Sequence, residues 1–220
     1  MKKKILLCVC LVVSISAMAQ HIQYGAAAGV TYYSMKGEAT GYLNKALNFT
    51  NGIISTRPVT GFYSGGYVTV PVATNFSVEP GLYYSSKGYA ITGKYALKGI
   101  DILSVNATAS LRSSYIEIPV LLKVNFNGLQ LFAGPQISYL TSARIKTAAG
   151  AAGINLLHTS MDITSQLNHW DAAVTGGIGY QFNNGVRITA SYDRGLSKIN
   201  NGQNIRVYNE VFKLGAGISF

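Results

Sequence analysis

Residues 115–126 read YIEIPVLLKVNF, and this stretch decides the fold. Aliphatic side chains occupy every second position from Ile116 to Val124, while Glu117, Pro119 and Lys123 stand between them. Side chains repeat with a period of two along a β-strand. The stretch therefore predicts a strand with one aliphatic face and one face that carries polar groups.

The same alternation predicts eight strands, joined by connections that are short and long in turn. The predicted strands cover residues 23–35, 59–70, 76–92, 109–124, 129–142, 170–182, 186–193 and 207–220. The short connections are PVATN (71–75), NFNG (125–128) and NNG (183–185), the last two with the Asn-Gly pair of tight hairpins. The long connections are 36–58, 93–108, 143–169 and 194–206. Within the third, TAAGAAG (147–153) predicts an unordered tip.

Strict alternation of connection length predicts a closed barrel in a membrane. All short turns fall at one end of the sheet and all long loops at the other, as in outer-membrane barrels. An even strand number brings both chain ends to one rim and leaves no open edge. We predict an all-β fold: a closed eight-stranded antiparallel up-and-down transmembrane barrel, with short turns and both termini periplasmic and long loops extracellular.

The N-terminus predicts a separate targeting segment. Residues 1–19 combine three lysines, an apolar middle and the small-residue site Ala17-Met18-Ala19, which is typical of a secretory signal peptide. The barrel domain is then 20–220. Cys8 and Cys10 lie inside the apolar middle, so the processed chain has no cysteine for a disulfide or a thiolate metal site.

The polar strand faces predict a charged lumen. By the phase of residues 115–126, eight charged side chains point inward, four of each sign: Glu79, Lys87, Glu117, Lys123, Asp171, Arg187, Asp193 and Lys213. An eight-stranded barrel holds little beyond its own side chains. Isolated buried ions are costly. We therefore predict a plugged, ion-paired lumen. The alternative is that these charges lie at the rims in water.

The remaining charge predicts a basic outer surface. The formal net charge is +10, and after residue 19 the chain has 15 basic and 8 acidic residues. The excess falls in or beside the long loops, at Lys36, Lys45, Arg57, Lys94, Lys98, Arg112, Arg144, Lys146, Lys198 and Arg206. Outer-membrane lipid and lipopolysaccharide, which carry anionic sugars and phosphates, are the predicted partners. No nucleic-acid-binding module is evident in the sequence, so nucleic acid is not a predicted partner.

The tyrosines predict aromatic girdles at the two membrane interfaces. Those near strand ends are Tyr32, Tyr33, Tyr84, Tyr89, Tyr139, Tyr180 and Tyr192. Tyrosine is enriched at both bilayer interfaces. A sugar-binding role for the rings is the alternative.

Six stretches resemble the PorT-like outer-membrane β-barrel family of the Bacteroidetes. They are EPGLYYSSKGY (79–89), YIEIPVLLKVNF (115–126), FAGPQISYL (132–140), GGIGYQF (176–182), ASYDRGLSKI (190–199) and FKLGAGISF (212–220). The resemblance implies an integral porin-like barrel of the outer membrane and the cell surface. One member of that family is associated with protein secretion and gliding, but that role does not carry over from stretches that describe only a barrel. An unidentified surface or secretion partner is the remaining expectation. No catalytic residue is carried over.

The last strand also resembles an assembly signal. In outer-membrane proteins, a polar residue, a glycine and hydrophobic residues at the third-last and last positions are recognised by the barrel assembly machinery. Lys213, Gly215, Ile218 and Phe220 fit that pattern. An edge strand of this kind can add to another sheet before its own barrel closes. The alternative is an ordinary last strand of a soluble barrel.

The third long connection contains the candidate chemistry. His158, Asp162, His169 and Asp171 could supply a base and the carboxylate that orients it. The spacing of these residues does not indicate a nucleophile, so we predict no catalytic residue, metal site or cofactor. The predicted function is a structural or surface-interaction role. Alternatives are a narrow pore or a component of a transport or secretion system, a loop-borne hydrolase or acyltransferase, and a soluble lipocalin-like binder.

Overall fold

The computed structural model describes residues 22–37, 54–96, 104–151, 154–197 and 207–220, and these form one β-sheet. Its strands are β1 (Gln23–Gly37), β2 (Ile54–Pro71), β3 (Phe76–Ala96), β4 (Ser104–Phe126), β5 (Leu129–Ala151), β6 (Ile154–Asp162), β7 (Trp170–Gln181), β8 (Val186–Gly195) and β9 (Val207–Ser219). Each of the eight predicted strands is present. The predicted signal peptide lies outside the described residues.

Eight of the strands close into a barrel. Going round the wall, the order is β1, β2, β3, β4, β5, β7, β8 and β9, and every neighbouring pair is antiparallel. The β1–β9 pairing, from Gly25↔Ser219 to Gly37↔Val207, joins the two ends of the chain. The predicted closed antiparallel barrel is confirmed.

Helix is nearly absent from the described part of the chain, where a single 3-10 turn covers Thr164–Gln166. No helix in those residues is long and apolar enough to cross a membrane.

The third long connection is a strand pair rather than a loop. β5 continues to Ala151, and β6 returns beside it from Ala151↔Ile154 to Arg144↔Asp162. β6 and β7 therefore lie on the same edge of β5 and run in the same direction, with residues 163–169 as a detour between them. The prediction of an unordered tip was wrong for residues 147–151, because β4 and β6 pair with that segment from both sides.

The strands on one side of the barrel are much longer than those on the other side. β4 and β5 have 23 residues each, whereas β8 has 10 and β7 has 12. A membrane strand needs about 9–11 residues. β3, β4 and β5 are therefore about twice as long as one membrane crossing requires, and with β6 they continue past the shorter strands at the end opposite the turns 72–75, 127–128 and 182–185. We call the two ends of the barrel the long-strand end and the short-turn end.

The outer face is apolar, as the alternation predicted. Ile118, Leu122, Ile188 and Ile218 have 47%, 52%, 54% and 41% of their surface exposed. Further exposed apolar side chains surround the barrel, among them Val30, Phe62, Leu82, Leu131, Ile137, Val174, Ile178 and Leu214. So large an apolar surface is typical of a protein that faces lipid.

Five of the predicted girdle tyrosines lie on that outer face: Tyr32, Tyr84, Tyr139, Tyr180 and Tyr192. Tyr33 was predicted wrongly, since it is only 5% exposed and points into the barrel. It follows Tyr32 directly, and consecutive strand residues face opposite sides of the wall. The side chain of Tyr89 lies outside the described residues.

Candidate functional site

The barrel lumen contains all eight charged side chains that the alternation placed there. Their exposed fractions range from 1% for Glu117 to 9% for Asp171. They lie on five strands of the wall, β3, β4, β7, β8 and β9. All eight are buried, and seven of them take part in ion pairs.

Three of the charges meet near the short-turn end, in what we call the lower ion cluster: Glu79, Lys123 and Arg187. Lys123 Nζ donates to Glu79 Oε2 at 2.7 Å. Arg187 Nη1 donates to both carboxylate oxygens of Glu79, at 2.8 and 3.1 Å. Thr69 Oγ1 also donates to Glu79 Oε2, at 2.8 Å. One buried carboxylate thus holds two cations.

Four further charges form the upper ion cluster, one level closer to the long-strand end: Lys87, Glu117, Asp193 and Lys213. Glu117 receives Lys87 Nζ on one oxygen and Lys213 Nζ on the other, each at 2.6 Å. Lys213 Nζ also lies 2.6 Å from Asp193 Oδ2. Hydroxyls of Ser85 and Thr175 donate to Glu117 and Asp193, at 2.7 and 2.9 Å. Asp171 lies in the lumen on β7, opposite Ser138.

Two of these ion pairs cross the whole width of the barrel. Glu79 is on β3 and Arg187 on β8, four strands apart in either direction round the wall. Glu117 on β4 and Lys213 on β9 are also four strands apart. Side chains from diametrically opposite walls therefore meet in the lumen at two levels. Separations of 2.8 Å and 2.6 Å leave no gap between the paired atoms.

Each of the four lumen cations also lies near an aromatic ring. The distances to the ring centroids are 3.5 Å for Arg187 and Tyr67, 4.8 Å for Lys87 and Tyr115, 5.7 Å for Lys213 and Tyr63, and 5.9 Å for Lys123 and Phe132. A cation is attracted to the negative face of an aromatic ring. Rings and carboxylates together replace the water that these cations lose on burial.

Inward glycines make room for the rings. A methyl group on Gly215 would meet the hydroxyl of Tyr63, and one on Gly25 would meet the ring of Tyr67. One on Gly177 would come within 2.6 Å of Phe132. Glycine therefore has a packing role at these positions. A cavity of about 50 Å³ remains, lined by members of both ion clusters, which is room for a few water molecules.

An apolar plug covers the upper ion cluster at the long-strand end. Tyr115, Leu140, Ala143 and Ile163 form one buried cluster. Ile163 belongs to the detour between β6 and β7, which is held by a bond from its N–H to the carbonyl of Ala143, at 2.9 Å. Leu111, Ile145 and Leu167 pack against the cluster. Sequence reasoning missed this plug because the detour has no alternation to reveal it.

The outer face of the long-strand end has a group of charged side chains that we call the basic rim: Arg112, Arg144 and Lys146. Arg112 and Arg144 are direct cross-strand neighbours, and both are exposed. Asp162 on β6 faces Arg144, with 3.7 Å between Nε and Oδ2. Hydrogen bonds from Thr164 hold the pKa of the Asp162 carboxyl below its usual value, so it is ionised at neutral pH.

Comparison with known proteins supports the same architecture. Residues 18–201 match the model of the outer membrane protein beta-barrel domain family. The chain belongs to this family. It is therefore an integral outer-membrane protein, which the apolar outer face and the closed wall explain physically. No curated protein has a significantly similar sequence.

The chain is also similar to three bacterial proteins of solved structure. Ail, the attachment invasion locus protein of Yersinia pestis, was solved with the heparin analogue sucrose octasulfate; it is 16% identical, with coverage of 91% of this chain and 100% of that one, at a TM-score of 0.43. Neisserial surface protein A is 10% identical, with coverage of 90% and 97% and a TM-score of 0.41. The protease OmpT of Escherichia coli is 10% identical, with coverage of 91% and 97% and a TM-score of 0.40.

The predicted assembly signal occupies the last strand of this family member. Lys213 and Gly215 face the lumen, whereas Ile218 and Phe220 face outward, with 41% and 76% exposed. Phe220 N–H donates to the carbonyl of Tyr24 at 2.7 Å, which fixes the last residue to β1 at the short-turn end. Lys213 and Gly215 thus have structural roles in the closed barrel as well as their predicted role in assembly.

The candidate chemistry of the third long connection is dispersed. Asp171 lies in the lumen, Asp162 lies beside Arg144 of the basic rim, and the ring of His169 packs on Tyr139 with centroids 5.8 Å apart. The side chain of His158 lies outside the described residues. Within the part of the chain that the structure describes, no three His, Cys, Asp or Glu side chains are grouped as metal ligands.

Proposed function

We propose that this outer-membrane barrel is a non-conducting surface protein rather than a channel or an enzyme. The observation that carries the proposal is the pair of ion bridges across the lumen, Glu79–Arg187 and Glu117–Lys213. A solute that crossed the lumen would have to separate both bridges and displace the apolar plug. Separating a buried ion pair leaves uncompensated charge in a low-dielectric interior. The closed lumen leaves the outer surfaces to interact with partners.

The proposed orientation places the short-turn end in the periplasm and the long-strand end outside the cell. Outer-membrane barrels have short periplasmic turns and longer external segments. The extension of β3, β4, β5 and β6 beyond the bilayer gives this chain an external wall and not merely loops. We assign the chain to the PorT-like group of the Bacteroidetes, because the six stretches of the resemblance fall on β3, β4, β5, β7, β8 and β9.

The proposed partners follow from this orientation. The basic rim and the other cations at the long-strand end would contact lipopolysaccharide and other outer-leaflet lipid. An unidentified surface or secretion partner would bind the external wall. The barrel assembly machinery would recognise β9 before the barrel closes.

Planar-bilayer recording tests the closed lumen. The processed protein, refolded in detergent and inserted into a bilayer, is expected to give no steady single-channel steps. Regular steps of uniform size would refute the proposal and favour a narrow pore. Glu117→Gln serves as the internal comparison: it weakens one transverse bridge and leaves the Glu79–Arg187 bridge and the apolar plug in place, so it too is expected to give no steady steps.

Cysteine labelling tests the orientation. Cys8 and Cys10 both lie within the proposed signal peptide. In the chain from residue 20 onward, Ser160→Cys on β6 and Asn184→Cys in a short turn therefore each introduce a single thiol. A membrane-impermeant maleimide is expected to label Ser160→Cys in intact cells and Asn184→Cys only after the outer membrane is opened. The reverse pattern would contradict the orientation.

A further inference from the structure

We propose that the basic rim binds a phosphate group of an outer-leaflet glycolipid, with Arg112 and Arg144 as the two arms of the site. The inference deepens the proposed contact with outer-leaflet lipid and rests on the proposed orientation for its biological setting. The starting observation is the β4–β5 register, which places two arginines directly opposite each other on the outer face.

Two like charges at opposite positions of a strand pair repel each other. The Cα atoms of such a pair are only about 4.5–5.5 Å apart. Lys146 adds a third cation, two residues beyond Arg144 on the same face. Among the described residues, Asp162 is the acidic neighbour of this group, and it lies on the β6 side of Arg144, away from Arg112. The cations therefore outnumber the carboxylate, and an external anion would balance them.

The depth of the basic rim is that of lipid headgroups. Ile116 is the last aliphatic side chain on the outer face of β4, and Arg112 is four residues beyond it. Four strand residues span about 13 Å, which a strand tilt of about 40° reduces to roughly 10 Å along the bilayer normal. Tyr84 and Tyr139 are the cross-strand neighbours of Ile116, and Trp170 is that of Tyr139, so the three form an aromatic band at the level of Ile116. Such bands mark the membrane interface.

A hydroxyl donor lies between the aromatic band and the arginines. Tyr84 donates its hydroxyl proton to Ser114 Oγ at 2.8 Å, so the hydroxyl proton of Ser114 is left to donate elsewhere. Ser114 has the same orientation as Arg112, two residues away on β4. Arginine binds phosphate oxygens through two parallel hydrogen bonds, and a hydroxyl can serve a third oxygen. Those donors match a phosphate monoester whose acyl chains lie along the apolar wall below.

Native mass spectrometry tests the site in neutral detergent micelles, with bisphosphorylated lipid A as the probe. The processed protein is expected to retain lipid A saturably. Arg112→Gln/Arg144→Gln is expected to weaken retention by about tenfold or more, since each lost charge-assisted pair is a large part of the interaction. The matched control is Arg194→Gln, an exposed cation whose cross-strand neighbour is Glu210. Its effect is expected to stay within about twofold, because a carboxylate already balances Arg194.

Two comparisons identify the phosphate and its source. Lipid A from which both phosphates have been removed is expected to bind no better than the detergent, and millimolar inorganic phosphate is expected to leave lipid A in place. Equal weakening by Arg194→Gln, equal binding of the dephosphorylated lipid, or displacement by inorganic phosphate would each overturn the proposal. A heat-dependent gel shift verifies that each variant is folded. If the double variant does not fold, Arg112→Gln alone is used, which retains the Arg144–Asp162 contact.

The binding experiment does not depend on how the barrel is oriented in the cell. Loss of lipid binding with correct cysteine labelling would overturn this inference and leave the proposed function intact. Lipid binding with reversed labelling would overturn the orientation and leave the phosphate site intact.

Discussion

Glu117→Gln is the sharpest test of the ion-paired lumen. Glu117 is 1% exposed and accepts from Lys87 and Lys213 at 2.6 Å each. Glutamine has nearly the same shape but no charge, so the substitution isolates electrostatics from packing. Lys213 keeps Asp193 as a counter-ion at 2.6 Å. Lys87 loses its carboxylate partner and keeps the ring of Tyr115 at 4.8 Å.

The expected loss of stability follows from this difference between the two lysines. Breaking a buried ion pair by removing one partner costs about 3–5 kcal/mol. Because only one of the two lysines loses its counter-ion, we expect a loss of about 3 kcal/mol. A second substitution, Lys87→Met, removes the unbalanced cation, and we expect it to restore about 2 kcal/mol in the Glu117→Gln background.

Urea titration in detergent micelles provides the measurement. The chain has a single tryptophan, Trp170, which is 64% exposed on the lipid-facing side. Its fluorescence reports transfer from micelle to water as the barrel unfolds, and the heat-dependent gel shift gives the folded fraction independently. Asp162→Asn is the control, because it also removes a carboxylate but one that is solvent-exposed, and no measurable change is expected.

Two results would refute the reasoning. A loss below about 1 kcal/mol for Glu117→Gln would mean that water reaches the upper ion cluster and screens it. A double variant less stable than Glu117→Gln alone would mean that Lys87 does not depend on Glu117 for its counter-charge. Either result would mean that the lumen charges are hydrated rather than held in ion pairs.

Three further predictions concern the lipid face, the glycine packing and the chain end. Ile118→Arg is expected to destabilise the barrel in bilayers by about 2–4 kcal/mol, since a charge then faces hydrocarbon; an unchanged urea midpoint in lipid vesicles would contradict the lipid-facing assignment. Gly215→Ala is expected to lower the urea midpoint because its methyl group meets Tyr63. Gly66→Ala is not, because its methyl group would make only an ordinary contact, 3.5 Å from the carbonyl oxygen of Gly25; equal midpoints for the two variants would count against the packing. Deletion of Phe220 is expected to reduce the amount of folded barrel in outer membranes without preventing refolding in detergent, and an undiminished cellular yield would remove the case for an assembly signal.

Much of the fold could be predicted because each strand is long and alternates clearly. The phase of Ile116, Ile118 and Leu122 decides which face of β4 meets lipid, and the same phase assigns Glu117 and Lys123 to the lumen. Tyr33 shows that the alternation within a strand is a better guide to the side of the wall than nearness to a strand end. Its position near a strand end suggested a girdle, but its parity, opposite to that of Tyr32, places it inside the barrel.

The detour at residues 163–169 shows where the sequence stops being informative. β6 is a strand because β5 extends far enough to pair with it, and not because its own residues alternate strongly. Ile163 enters the lumen because the detour leaves the wall beside Ala143. Whether two segments pair depends on how far the partner strand extends. The local sequence pattern of a segment does not contain that information.

The sequence by itself determined the strand number of the barrel, the face on which each side chain lies and the balance of charge in the lumen, because a period of two is a local property of the backbone. Only the tertiary structure decided which charges meet. Glu79 binds Arg187 across 108 positions of the chain, because closure and strand stagger bring opposite walls to the same depth. Alternation gives the direction of a side chain, whereas its partner is set by the curvature and register of the whole wall.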